Sequence, residues 1–316
     1  MPDQQAGADQ RIARRLRLRD LHMLRVVAEL GSMAQAAERL AMSQPAISKA
    51  IAGMERSLGA PLLDRGPRGV EPTAYGRVLL ARGTAMLDEL RLGIEEIRFL
   101  ADPATGRLRI GTTEPMTAIV SAVILRLSPR YPRMTFEVEM ADTGLLFQRL
   151  RDRSLDLAVS RTAGAAAEPD LLVDPLFDDP LVVMAGRRNP LARRRRILLA
   201  ELMAEPWVLP PPDSFLGGMI AAAFRLRGLD PPRAVTTRSV RLAVNLLGNG
   251  CFLSVLPSAM LRFRAQYPAL AALPVELAET RRPIALITLG NRSPAPAARL
   301  FTECAHAVAR LLPGGG

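Results

Sequence analysis

Between Leu18 and Gly59 the chain is punctuated so closely that three short helices in a fixed order are hard to avoid. Leu18, Leu21, Leu24, Val27 and Ala28 recur at helical spacing and Gly31 stops the run, which predicts a helix over 18–30. Ser32 and Gln35 match the S-x-x-Q capping box, in which each side chain satisfies an orphan backbone donor. A short helix over 33–40 follows, with Ala36, Ala37 and Leu40 on one face, small enough for two helices to cross closely. After a break at Ala41-Met42, Ser43 is a natural N-cap and Pro45 suits a first helical turn. Ala46, Ile47, Ala50, Ile51, Met54 and Leu58 form the buried stripe of a third helix, which Gly59 ends. Helix, short helix, tight turn and longer helix make a helix-turn-helix.

The outward positions of the third helix then matter. Gln44, Ser48 and Lys49 face away from its stripe near the N-terminal end, where a recognition helix meets base edges. Gln can pair bidentately with adenine and Lys can reach guanine acceptors; by themselves, three polar residues equally describe a solvated helix face. Residues 60–76 read as two extended pieces around a turn rich in Gly, Pro and Arg, a wing whose Arg65 and Arg68 can lie along phosphates. Thr73 is placed to cap a long helix over 74–100, on which Leu79, Gly83, Met86, Leu90, Ile94 and Ile97 alternate in threes and fours. That narrow seam suits a coiled-coil dimer, or a helix packed inside one domain. Dimerisation is favoured because so small a reader gains affinity and register from two half-sites.

Charge adds little. The net charge is +11, but residues 1–77 hold 12 basic against 8 acidic side chains, and Arg is used almost to the exclusion of Lys. The sole lysine is Lys49. Residues 1–17 read as a mobile basic tail without the apolar core of a secretion signal, and no apolar run approaches the ~20 residues of a spanning helix, so a cytoplasmic chain with no membrane partner is expected. Cys251 and Cys304 form neither a disulfide framework nor a zinc pattern and are expected as buried thiols in a reducing compartment, with a redox switch between them as the alternative. His22 and His306 fall in predicted helices and are expected to have no acidic or thiol partner, and no H-E-x-x-H, G-x-S-x-G, Walker A or G-x-G-x-x-G pattern occurs. No catalytic residue, metal or cofactor is expected.

Beyond a linker at Asp102, Pro103 and Gly106, strands and helices alternate. Strands are predicted over 107–111, 135–140, 155–160, 181–185, 207–209, 234–237, 252–255 and 284–289. Helices are predicted over 116–127, 144–153, 198–203, 215–227, 240–247, 258–264 and 297–311. This is an α/β region with a largely parallel sheet, arranged as two lobes with a cleft between them. Ligands in such sheets bind beyond the carboxyl ends of strands, at helix starts. The clearest such edge holds Thr112, Thr113, Glu114, Met116 and Thr117; Thr143 begins another helix, Arg161 ends a central strand, and Phe215 and Ser239 come from the second lobe. Free backbone donors there favour an anion or a hydroxyl-rich ligand, although any one Thr or Ser serves equally well as a helix cap. Arg161 could pair with a carboxylate, while Glu114 argues against a highly charged anion, so a sugar-like or carboxylate metabolite is expected.

Residues 18–76 resemble the LysR-type transcriptional regulators. The resemblance rests on Leu21-x-x-Leu24, on Gly31-Ser32-Met33-Ala34-Gln35-Ala36-Ala37, and on Leu40-x-x-Ser43-Gln44-Pro45-Ala46-Ile47-Ser48. It continues through Ile51, Glu55, Leu58-Gly59-Ala60-Pro61-Leu62-Leu63 and Arg65. Leu63 stands where the family usually has Phe, and Glu71-Pro72 where an aliphatic usually precedes Thr; the phrase from Asp64 to Thr73 looks like the subgroup of sugar-uptake and protocatechuate-catabolism regulators. The resemblance implies a winged helix-turn-helix over 18–75, a linker and dimerisation helix over 76–101, and an effector domain resembling type 2 periplasmic binding proteins. Its lobes are expected at 106–178 with 290–316, and at 179–289. It implies that Gln44, Pro45, Ser48 and Lys49 enter the major groove and that the wing follows the backbone and minor groove, with Ser43, Arg65, Arg68 and Thr73 in the same DNA-facing set. It places Thr112, Thr113, Thr143 and Phe215 against the ligand. The implied partners are double-stranded operator DNA with paired half-sites, a small-molecule effector, and further copies of the chain joined through the linker helix and effector domain.

Overall fold

A computed structural model describes residues 16–67, 69–162, 168–263 and 266–312. Residues 1–15 of the expected tail, and Arg68 of the expected wing, lie outside the described residues. The chain divides into two compact units, Met1–Ile94 and Glu95–Gly316.

Among the described residues the first unit holds three short helices, a hairpin and most of a long helix. Helix α1 (Leu18–Leu30) ends at Gly31, whose φ of 61° lies in the left-handed region that glycine enters without penalty. Its buried residues are Leu21, Met23, Leu24, Val26 and Val27; Leu18 is exposed and Ala28 half-buried, because α2 and α3 cover a broader face than the expected stripe. Helix α2 (Met33–Arg39) starts where Ser32 Oγ accepts the Gln35 N–H at 3.3 Å. Helix α3 (Gln44–Leu58) starts where Ser43 Oγ accepts the Ala46 N–H at 3.4 Å, and it buries Ile47, Ile51 and Met54. Between α2 and α3 the turn passes through Ala41 at φ 51°. Strands β1 (Leu63–Gly66) and β2 (Gly69–Pro72) form the antiparallel wing, held to the helices by the Glu55 carboxylate, which accepts the Leu62 N–H at 2.8 Å, and by Gly31, whose carbonyl accepts the Val70 N–H at 2.9 Å.

Helix α4 (Ala74–Ala101) begins at Thr73, whose hydroxyl donates to the Pro61 carbonyl at 2.6 Å and accepts the Gly76 N–H at 3.0 Å. Of the expected seam, Leu79 joins the core of the first unit and Gly83 packs on Leu21, while Met86, Leu90, Ile94 and Ile97 are exposed.

The second unit is built on one eight-stranded sheet, ordered β4-β3-β5-β10-β6-β9-β7-β8. The strands are β3 (Thr105–Thr112), β4 (Arg133–Met140), β5 (Leu157–Arg161), β6 (Leu171–Gly186), β7 (Trp207–Leu209), β8 (Ala234–Thr236), β9 (Leu253–Pro257) and β10 (Leu270–Leu289). Parallel pairing is confined to β3 with β4 and β5, and to β7 with β8 and β9. The middle is antiparallel, because β6 and β10 run alongside each other over most of their lengths and join the two halves of the sheet. This corrects the largely parallel sheet. It also corrects the lobe boundary, since Ile284–Ile287 of β10 pair with β5, in the same half as β3 and β4. Both long strands carry prolines that read as breakers in sequence, Pro175, Pro180, Pro274 and Pro283. Register shifts at 272/276, 277/282 and 284/285 absorb two of them without ending the ladder.

Helices α5 (Thr117–Leu127), α6 (Thr143–Arg151) and α9 (Pro296–Leu311) serve the first half of the sheet, and α7 (Phe215–Leu226) and α8 (Val240–Gly248) the second. In the second half β6 alternates faces. Leu181, Val183 and Ala185 pack with Trp207 and Phe224, while Val182 and Met184 pack with Leu247 and Met260. This puts the starts of α6, α7 and α8 around the junction of the two halves.

Candidate nucleic-acid interface and effector cleft

At the start of α3 the chain separates a buried face from an outward one. Ile47 and Ile51 are fully buried, while Ser43, Gln44, Pro45 and Lys49 are exposed and Ser48 is half-buried. The helix is held by its cap and by core packing, so these side chains are presented on a fixed backbone. Arg65 is exposed on β1, and Thr73 is committed to capping α4. The set is thus one helix end flanked by a two-stranded wing, a geometry suited to base edges in a major groove and phosphates beside it.

In the second unit, a cavity of about 360 Å3 lies where the halves of the sheet meet. Of the expected residues, Thr113, Met116, Thr143, Arg161 and Phe215 line it, together with Met140, Leu216, Val240 and Pro257. Three stay outside its wall. Thr112 is buried in the sheet, its hydroxyl directed to the Thr113 and Val159 carbonyls at 3.2 and 3.3 Å. Thr117 donates to the Glu114 carbonyl at 2.8 Å and lines a neighbouring pocket with Arg241 and Tyr267. Ser239 caps α8, accepting the Leu242 N–H at 3.2 Å. Thr143 is pinned by a 2.9 Å hydrogen bond to Ser160.

Arg161 reaches the cavity wall, but its charge is already matched. Its guanidinium donates to the carboxylate and the backbone carbonyl of Asp179, on β6. The second carboxylate oxygen of Asp179 accepts from Ser258 Oγ at 2.5 Å and the Ala259 N–H at 2.7 Å. One fully buried carboxylate therefore ties the end of β5 to the crossover strand and to the residues after β9. Burial pulls the Arg161 guanidinium below its usual value, against the opposing pull of Asp179.

Two further ties cross the cleft. The Glu114 carboxylate, from the first half, accepts the N–H groups of Val240 and Arg241, both at 2.8 Å, and so caps α8 in the second half. Arg238 donates to Asp142 across the cleft at 2.6 Å and to Asp213 on its own side at 3.1 Å. In the sequence Glu114 stands out only as a charge, and Arg238 belongs to no motif. A signal was present, because an arginine beside the cap of a helix sits at the positive end of its dipole and needs carboxylates nearby.

Residues 18–77 match the model of the bacterial regulatory helix-turn-helix protein, lysR family, and residues 101–310 match the LysR substrate binding domain. The transcriptional regulator GbpR of Azospirillum brasilense is 28% identical over 288 residues, covering 90% of this chain and 84% of that protein. Among solved structures, full-length OxyR of Pseudomonas aeruginosa superposes with a TM-score of 0.67 at 22% identity, covering 94% of this chain and 96% of that one. The effector binding domain of QuiR in complex with shikimate gives 0.54 at 22% identity, over 65% of this chain and 98% of that one.

Proposed function

The chain belongs to the LysR family of transcriptional regulators, and from that premise we propose how its two units divide the work. The start of α3 reads operator bases through Gln44, Pro45, Ser48 and Lys49, while Ser43 and the wing, with Arg65 and Arg68, set position on the backbone, and Thr73 acts indirectly by capping α4 where it leaves the wing. The cavity between the halves of the second unit takes a sugar-like or carboxylate metabolite against Thr113, Met116, Thr143 and Phe215. A second copy of the chain covers the exposed seam of Met86, Leu90, Ile94 and Ile97 on α4, so that two readers engage paired half-sites. Among the described residues no helix is long and apolar enough to cross a membrane, and a reader of chromosomal DNA works in the cytoplasm.

The observation that carries this reading is the division of α3, buried through Ile47, Ile51 and Met54 and outward through Gln44, Pro45 and Lys49. Effector control follows by linkage. A ligand that prefers one lobe arrangement shifts the population toward it, and the paired readers then grip or bend DNA differently. Band-shift titrations on DNA flanking the chain's own gene, against scrambled DNA, test the reader. Lys49→Ala is expected to cost about 1–3 kcal/mol on the operator and to relax base preference. Arg65→Ala is expected to weaken binding to all sequences and to lower the salt slope by about 1. Unchanged operator affinity in both variants would sink the assignment.

A further inference from the structure

The charged side chains that line the cavity are Glu114, Asp142, Arg161 and Arg238, and each is spent on a partner within the protein. Three helix starts border the cavity, and each already has a carboxylate beside it. Asp142 precedes α6, Asp213 precedes α7, and Glu114 caps α8 from the opposite half. A helix start attracts anions because its first N–H groups lack partners and its dipole is positive there. Here the start of α8 is met by the Glu114 carboxylate and that of α7 by the Ser214 hydroxyl, which accepts the Gly217 N–H at 3.1 Å, while Asp142 stands beside the start of α6 without a side-chain hydrogen bond to it and opposes an incoming anion by its charge alone. Both guanidiniums that could hold an anion are held by aspartates. What remains open to a ligand is the half-buried Thr113 hydroxyl, which has no hydrogen-bond partner among the described residues, and an apolar wall of Met116, Met140, Phe215 and Leu216.

We propose that Glu114 sets the charge class of the effector: by occupying the start of α8 it makes the cleft a site for an uncharged, hydroxyl-bearing molecule with an apolar flank and turns carboxylates away. This rests on the cleft being the effector site, and it narrows the sugar-like or carboxylate class to its uncharged member. The ligand's hydroxyl meets Thr113, its apolar side lies on Phe215, and Glu114 stays on the Val240 and Arg241 amides, holding the lobes together around it. Removing the Glu114 side chain opens an anion site of the size of a small carboxylate.

The test uses the full chain, with acetate as the probe and chloride at equal ionic strength as control. In Glu114→Ala, acetate is expected to raise Tm by about 3 °C and to restore hydrogen-exchange protection at the 240 and 241 amides, while leaving the wild type unmoved. Acetate that acts equally on both proteins, or on neither, overturns the proposal. Should Glu114→Ala fail to fold, Glu114→Gln keeps the shape and removes the charge. Protection at those two amides then falls about five- to tenfold if the carboxylate holds them, and unchanged protection refutes it. A second arm screens the wild type by thermal shift with matched pairs, glucose against gluconate and benzyl alcohol against benzoate. A response to the acids with none to the uncharged partners overturns the charge selection. Silence toward all four counts against the effector reading of the cleft, and the acetate arm still decides what Glu114 does.

Discussion

Replacing Asp179 with Asn exchanges one carboxylate oxygen for an NH2 group and removes the negative charge at the junction of the lobes. The Asp179 side chain is fully buried, and that of Arg161 is 6% exposed. In the wild type the carboxylate accepts from Arg161, from Ser258 Oγ and from the Ala259 N–H. An asparagine oxygen can keep one side of this arrangement, but its NH2 group then faces a donor, and the Arg161 guanidinium is left charged and unpaired in a dry site. Breaking a buried pair by removing one member costs about 3–5 kcal/mol, because the remaining charge stays desolvated. For a unit of this size that corresponds to a fall in Tm of roughly 10 °C. Trp207 offers the assay. It is the only tryptophan, is 1% exposed, and stands edge-on to Phe224 in the core of the second half, so its fluorescence follows the unfolding of that half. Urea titrations of wild type, Asp179→Asn, Arg161→Met and the double variant form a cycle. The double variant is expected to lose less than the sum of the singles by about 2 kcal/mol, since neither charge is then stranded. A cost below about 1 kcal/mol for Asp179→Asn, or additive singles, would refute the claim that this pair fixes the junction.

Three further outcomes follow from the geometry. A Cβ added at Gly76 would lie 2.0 Å from the Leu62 carbonyl oxygen, so Gly76→Ala should destabilise the first unit by about 2–3 kcal/mol and weaken DNA binding with it, read by circular dichroism melts and band shifts. Ala41 holds φ 51° in the turn before α3, so Ala41→Gly should stabilise that unit by about 0.5–1 kcal/mol; a loss of stability would show that the turn is not strained. Burial pushes the Asp156 carboxyl up, but the Arg109 and Arg292 guanidiniums outweigh it and hold the carboxyl below its ordinary value of 3.8. A lowered folded-state pKa gives stability that is complete above the unfolded value and is lost as pH falls through the folded one. Acid titration should therefore show an unfolding limb below about pH 4 that is shallower in Asp156→Asn, which is already weakened at neutral pH.

The reader was legible in sequence because its signals are local. Ser32, Ser43, Gly31, Gly59 and Thr73 act within a turn of where they stand, and the apolar period of α3 alone decides that Gln44 and Lys49 face outward. Most strands and helices of the second unit were legible for the same reason. The long strands were not, since Pro175, Pro180, Pro274 and Pro283 speak locally for turns, and only pairing between β6 and β10, about a hundred residues apart, overrides them. The cleft divides the same way. Sequence indicated which helix starts and strand ends could meet, but the fate of each side chain was settled by partners far along the chain. Arg161 is taken by Asp179, Thr112 turns into the sheet, and Glu114 crosses to amides 126 and 127 residues away. Local chemistry determined the elements and the reader's exposed face; long-range pairing of charge with charge and strand with strand decided which groups the cleft still has to offer.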